Sequence, residues 1–166
     1  MDHSPVPNTY CGLVWTDFDY VDKRYYADFY PDSGYVQIDT IGTIVGLVPN
    51  YKTGRLHAAV AGATFSLESM KLTPAWNKQL DVSIKGYNAS GQEVASMDIQ
   101  LESPSVTRPV TFDSSFKNIV EVSITGSRGF FDDSLVTTNN GCRYQYCTQV
   151  VVDDIVISGE AGLYVA

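Results

Sequence analysis

A chain of 166 residues, 44% of them hydrophobic, suits one domain with a sizeable core. With 11 Lys and Arg against 19 Asp and Glu the formal charge is −8, and no basic cluster interrupts that acidity, which disfavours nucleic acid and anionic membrane as partners. No apolar run approaches the ~18 residues that a membrane-spanning helix needs.

The opening MDHSPVPNTY is too polar to be the hydrophobic segment of a signal peptide, and a Met before such a lead fits a mature secreted protein whose signal has been replaced. Residues 1–9 read as a flexible leader and residues 10–166 as a single domain. In GLVWTDF, Trp15 alternates with Leu13 and belongs to the core. TFSLES (64–69) alternates through Phe65 and Leu67. Residues 70–79, MKLTPAWNKQ, have room for one helical turn, kept short by Pro74. LDVSIKGY sets Leu80, Val82 and Ile84 against Asp81, Ser83 and Lys85; NASGQ turns; EVASMDIQLE alternates again, which makes a β-hairpin with one dry face. FKNIVEVSITGS repeats the pattern with Val120, Val122 and Ile124 inward. QVVVDDIVI (149–157) is apolar at both parities, as expected of a strand inside a sheet whose second face lies under a loop or a ligand. Many short strands separated by turn signals predict an all-β antiparallel β-sandwich or jelly roll.

The three cysteines are Cys11, Cys142 and Cys147. Cys142 and Cys147 are close enough in sequence to close a small disulfide ring in an oxidising compartment, leaving Cys11 as a buried hydrophobe. A zinc reading is poorer, since only His3 and His57 are available to complete a ligand set and neither has the spacing of a finger. Asn88-Ala89-Ser90 is an N-glycosylation tripeptide that suits a secreted surface turn.

Residues 22–62 and 126–146 escape the alternation, and long irregular segments in a compact sandwich are usually functional or mobile. Aromatics gather there: Tyr25, Tyr26, Phe29, Tyr30, Tyr35 and Tyr51 in the first, Phe130, Phe131, Tyr144 and Tyr146 in the second. Either these rings simply suit strands and sandwich edges, or they wall a pocket for a flat or greasy ligand, with Trp76 on its rim. No nucleophile elbow, metalloprotease helix, phosphate loop or dinucleotide fingerprint is present. His57 is the one imidazole outside the leader able to serve as a base or donor. Strand alternation sends Asp153 and Asp154 to opposite faces, which denies them the joint geometry of a glycosidase pair. Asp153, near the last strand, is a candidate ligand for a structural calcium, although the other oxygens of such a site are not evident.

Taken together, YCGLVWTDFDYVD, SGYV, FSLESMKLTPAWNKQLDVSIKGYNASGQEV, FKNIVEVSITGS and QVVVDDIVI resemble a family of small fungal proteins with a galactose-binding-like jelly roll. The shared residues run from Tyr10 to about Ile157 and are core and turn positions. The resemblance implies a cofactor-free hetero-Diels–Alderase of tropolone-sesquiterpenoid biosynthesis, joining an o-quinone methide to the alkene of a humulene-type terpene. Such a cycloaddition asks for two apolar partners held face to face and a donor for the heterodiene carbonyl. On residue type and loop position, His57, Tyr35, Arg128 and Lys78 are the candidates for polarising the oxygen, and Tyr26, Tyr30, Tyr51, Trp76, Phe131 and Tyr144 for gripping the substrates. No cofactor or resident metal is expected, the partners are small apolar or aromatic molecules, and the compartment is secretory. A lectin-like carbohydrate-binding module is the alternative, and an interaction protein without a small ligand a third.

Overall fold

The computed structural model describes residues 3–7, 9–131, 147–159 and 164–165. In chain order come β1 (Ser4–Pro5), β2 (Thr9–Tyr10), β3 (Leu13–Thr16), β4 (Asp19–Asp22), α1 (Lys23–Ala27) and α2 (Gly34–Gln37). There follow β5 (Ile44–Val48), β6 (Thr53–Ala58), β7 (Phe65–Pro74), β8 (Asn77–Lys78), β9 (Leu80–Tyr87) and β10 (Glu93–Leu101). The rest are β11 (Arg108–Thr111), a 3-10 turn at Ser114–Phe116, β12 (Glu121–Ser127), β13 (Phe130–Phe131), β14 (Val150–Gly159) and β15 (Tyr164–Val165).

Two antiparallel sheets carry the fold. One has the order β1-β4-β5-β14-β7-β11, with β15 also on β14; the other has the order β10-β9-β12-β6-β3-β2. The chain is therefore the all-β sandwich that its alternation predicts. Apolar residues at every second position of β9, β12, β6 and β3 (Leu80, Val82, Ile84, Val122, Ile124, Leu56, Leu13, Trp15) meet Val48, Met70, Leu72, Val110, Val150, Val152 and Ile157 of the facing sheet in one core. The β9–β10 hairpin turns at Asn88–Gln92, where Gly91 takes a φ of 76° that disfavours a side chain.

A second cluster lies on the other side of the first sheet. Val21, Val45, Leu47 and Val151 point away from the sandwich and are covered by Tyr26, Tyr35 and Ile38 from the α1–α2 region, together with Ala75, Trp76 and Cys147. This layer explains why β14 is apolar at both parities: Val150 and Val152 face the opposing sheet, Val151 the helical cover. The cover docks closely because Gly34 has no side chain. A Cβ there would come within 2.1 Å of the Pro74 carbonyl oxygen, and the Gly34 amide donates to the Ala75 carbonyl at 2.9 Å.

Two local expectations change. Residues 70–74 continue β7 instead of starting a helical turn, because Leu72, Thr73 and Pro74 pair with Val152, Val151 and Val150, and Pro74 ends the strand. The leader, expected to fray, contributes β1 on the edge of one sheet and β2 on the edge of the other, so it bridges the two layers.

Candidate functional site

The aromatics of the first irregular segment are gathered as expected, but they meet one another. Tyr26, Tyr35 and Trp76 are each 1% exposed. Ring centroids lie 4.9 Å apart for Tyr26–Tyr35 and 5.4 Å for both Tyr35–Trp76 and Tyr30–Trp76, the last two edge-to-face, the geometry preferred by aromatic pairs. Their polar ends converge on Gln149, a buried residue that alternation placed only as a strand start. Its Oε1 accepts from the Tyr35 hydroxyl at 2.7 Å and from Trp76 Nε1 at 2.9 Å. Burial pushes the Tyr35 hydroxyl well above the usual phenol range, so it stays protonated as a donor. This is a packed, satisfied layer, with its rings and handles committed to structure. Tyr35, Tyr26 and Trp76, expected as a polarising group and ligand walls, thus pack against one another, and half-buried Tyr30 packs against the same layer.

The other candidates are dispersed. His57 sits on β6 opposite Glu121 of β12, on the outer face of the second sheet, beside a shallow depression with Val60, Ala61 and Val120. Lys78 of β8 and Arg128 after β12 are exposed, and Tyr51 is 71% exposed with its amide donating to Thr148. His57 and the tyrosine layer thus stand on opposite outer faces of the sandwich and share no site, because β6 turns His57 outward where it turns Leu56 in. Phe131 pairs through its backbone with Asn77 in the β8–β13 ladder. Tyr144 and Cys142 fall outside the described residues. Cys147 is disulfide-bonded and buried, and Cys11 carries a free, half-buried thiol.

What the fold does leave open is a groove of about 290 Å³ between the sheets, at the edge where the leader crosses from one to the other. Val6 and Pro7 of the leader, Tyr10 and Trp15 from the second sheet, and Tyr20, Ile44, Gly46, Val152 and Ile155 from the first line it, with Asp153. Two features of the chain make this space. Gly46 lies between Val45 and Leu47, both turned to the helical cover, so its own missing side chain would have pointed between the sheets. The second is a bulge in β14: register against β7 shifts between Asp153 and Val156, and Asp154 takes a φ of 49°. Pairing of β14 with β5 ends at Val152 opposite Gly46, beyond which the strands separate.

Asp153 is the one carboxylate among the residues that line this groove. Its Oδ1 accepts the Asp154 amide at 2.8 Å, whereas its Oδ2 is buried with no hydrogen-bond partner. Burial pushes its carboxyl above the usual carboxylate range, against the hydrogen bond from the Asp154 amide and the more distant charge of Lys23, while the Thr40 hydroxyl donates to Asp154 Oδ1 at 3.4 Å. The surrounding oxygens are met by ammonium groups: Lys71 Nζ lies 3.0 Å from Asp154 Oδ2 and donates to the Asp39 carbonyl at 2.7 Å, and Lys23 Nζ donates to the Ile38 carbonyl at 2.8 Å. Among the described residues no three His, Cys, Asp or Glu side chains come together as metal ligands. Exposed rings also occur on α1, where Tyr25 and Phe29 lie 5.9 Å apart at 44° to each other, a tilted pair and not a flat platform.

No protein-family model and no curated protein matches the chain. Solved structures do. A DUF4465 family protein from Bacteroides caccae superposes with a TM-score of 0.60 at 12% identity, covering 89% of this chain and 80% of that one. A DUF4465 family protein from Bacteroides ovatus superposes with a TM-score of 0.51 at 10% identity, covering 92% and 81%. At such identities the likeness is one of fold: these structures share the β-sandwich.

Proposed function

We propose that this protein binds one small, largely apolar molecule in the inter-sheet groove, with the Asp153 carboxyl as the polar group that orients it. The observation that carries the reading is the lining itself: aliphatic and aromatic walls from both sheets and the leader with a single carboxylate among them, the usual make-up of a small-molecule site. The volume of about 290 Å³ stands just below the roughly 300–1,000 Å³ range of such sites, which suits one small ligand.

The hetero-Diels–Alder chemistry implied by the sequence resemblance is a second reading, and the groove gives it a specific form. The apolar alkene would occupy the groove, and the Asp153 carboxyl, whose pKa burial raises, would serve as donor to the heterodiene carbonyl in the fraction of molecules that carry its proton. In this form His57, Lys78 and Arg128 take no part, and the second reactant lies partly outside the walls. A sugar-binding module draws less support, because stacking on a glycan wants an exposed flat ring surface and the described aromatics offer buried rings and a tilted pair.

One experiment separates these readings. Fluorescence of Trp15 is followed on titration with a humulene-type alkene, and the same mixture is then given a hydroxymethyl-tropolone and assayed for adducts. Quenching with saturation, and adducts above the uncatalysed rate, support the enzyme. Quenching alone leaves the binding module. No response to the alkene, with a positive glycan array, overturns both apolar readings.

A further inference from the structure

From the hairpin tip joining β9 to β10 we infer that Asn88 is an acceptor for an N-linked glycan. Asn88-Ala89-Ser90 is the single Asn-x-Ser/Thr in the chain, but the tripeptide alone says little, since many lie in strands or cores. Here it occupies an exposed turn: Ala89, Ser90, Gly91 and Gln92 are all exposed, and nothing lies within 4 Å of where a Cβ on Gly91 would stand.

The side chain itself is divided in a useful way. Its oxygen is committed to the turn, with Asn88 Oδ1 accepting from the Ser90 amide at 3.0 Å, the Ser90 hydroxyl at 2.7 Å and the Gln92 amide at 3.0 Å. Its nitrogen has one long contact, 3.5 Å to Gln92 Oε1 at the exposed tip. The nitrogen is the atom that the transfer uses. Asn88 Nδ2 forms a bond to C1 of a lipid-linked oligosaccharide diphosphate, the C1–O bond breaks with its electron pair leaving on the diphosphate, and Nδ2 gives up one proton. Afterwards Oδ1 keeps all three of its turn hydrogen bonds, so the modified hairpin has the same local structure. The disulfide at Cys147 suits an oxidising compartment such as the one where this transfer occurs.

Position gives the glycan a physical consequence. β10 is the outer strand of its sheet and carries a half-exposed Val94, and exposed strand edges invite pairing with other chains unless something covers them. A glycan at the tip would stand over that edge. The groove lies at the opposite edge, near β2 and β3, so the inference is independent of the proposed ligand.

The test is translation of the full chain behind a cleavable secretion signal in the presence of endoplasmic-reticulum microsomes, followed by protease to remove untranslocated chains and then by an endoglycosidase. The expected result is a protected product heavier by one core glycan, returned to the unmodified mass by the endoglycosidase, absent in Asn88→Gln and retained in Ser90→Thr. The readout is the mass of the protected chain, so a folding defect in a variant does not obscure it. Protected chains at the unmodified mass, or a glycan that persists in Asn88→Gln, would overturn the inference.

Discussion

Gln149 holds two donors on one oxygen, and this sets the hierarchy of substitutions in the tyrosine layer. Tyr35→Phe removes one hydrogen bond and leaves Gln149 Oε1 still bonded to Trp76, a loss of about 1 kcal/mol. Gln149→Leu strands the Tyr35 hydroxyl and Trp76 Nε1 together in a buried place and costs about 2–4 kcal/mol. Urea unfolding checks this order, read from midpoints at an unchanged slope. Asp153 makes the second prediction at this scale. Its folded pKa lies above the unfolded one, so the native state carries a penalty when the group is charged. That penalty is fully present above the folded pKa, shrinks as pH falls through it, and vanishes below the ordinary carboxylate value. Asp153→Asn should therefore raise Tm near pH 7 and leave it unchanged near pH 3. Part of the group is reached by water, so the gain is on the order of 1–2 °C. None of this was visible in the residue types. A tyrosine announces that it wants burial with one polar contact, but not whether the partner is a ligand, as expected of Tyr26, Tyr35 and Trp76, or a glutamine 114 positions away, as with Tyr35.

At the scale of elements, the hairpin of β9 and β10 was legible because its alternation, turn and pairing are all local. The double burial of β14 was legible too, as a demand for cover on both faces, although the identity of the cover was not: the α1–α2 region reaches it across more than a hundred residues of sequence. The groove was illegible for the same reason. Its walls come from β2, β3, β4, β5, β14 and the leader, and no local pattern marks Gly46 as the position whose empty face faces the opposing sheet. Gly46→Val tests whether that space matters. A Cβ there comes within 3.2 Å of the Val152 carbonyl oxygen, a tight contact that requires a small give, while the branched side chain suits a strand. The expected outcome is a Tm within about 3 °C of the parent and at least a tenfold weaker alkene titration, since the added methyls occupy the ligand's place. Unchanged affinity in a folded Gly46→Val protein would place any ligand elsewhere.

The molecule as a whole is three layers deep, sheet, sheet and helical cover, and the inter-sheet groove lies where the leader spans the first two. The leader's hold on the first sheet is light: two ladder pairs from Ser4 and Pro5 to Tyr20 and Asp19, the Val6 amide donating to the Phe18 carbonyl at 3.0 Å, and His3 Nδ1 2.6 Å from Asp19 Oδ2. The core lies behind it and takes little from it beyond the partial burial of Val6. Removing residues 1–7 should therefore separate ligand handling from stability. Losing the packing of Val6 costs on the order of 1 kcal/mol, a fall in Tm of about 2–4 °C. The groove loses a whole wall, however, so the alkene titration should weaken far more, and an environment-sensitive apolar dye should bind the newly opened inter-sheet surface. Near-ultraviolet circular dichroism distinguishes this outcome from general loosening: a retained aromatic signal means that the buried Tyr26–Tyr35–Trp76 layer is intact, since it lies on the far side of the first sheet from the leader. If stability and binding instead fall in proportion, the leader belongs to the core's cooperative unit, and the groove is a packing defect at its seam.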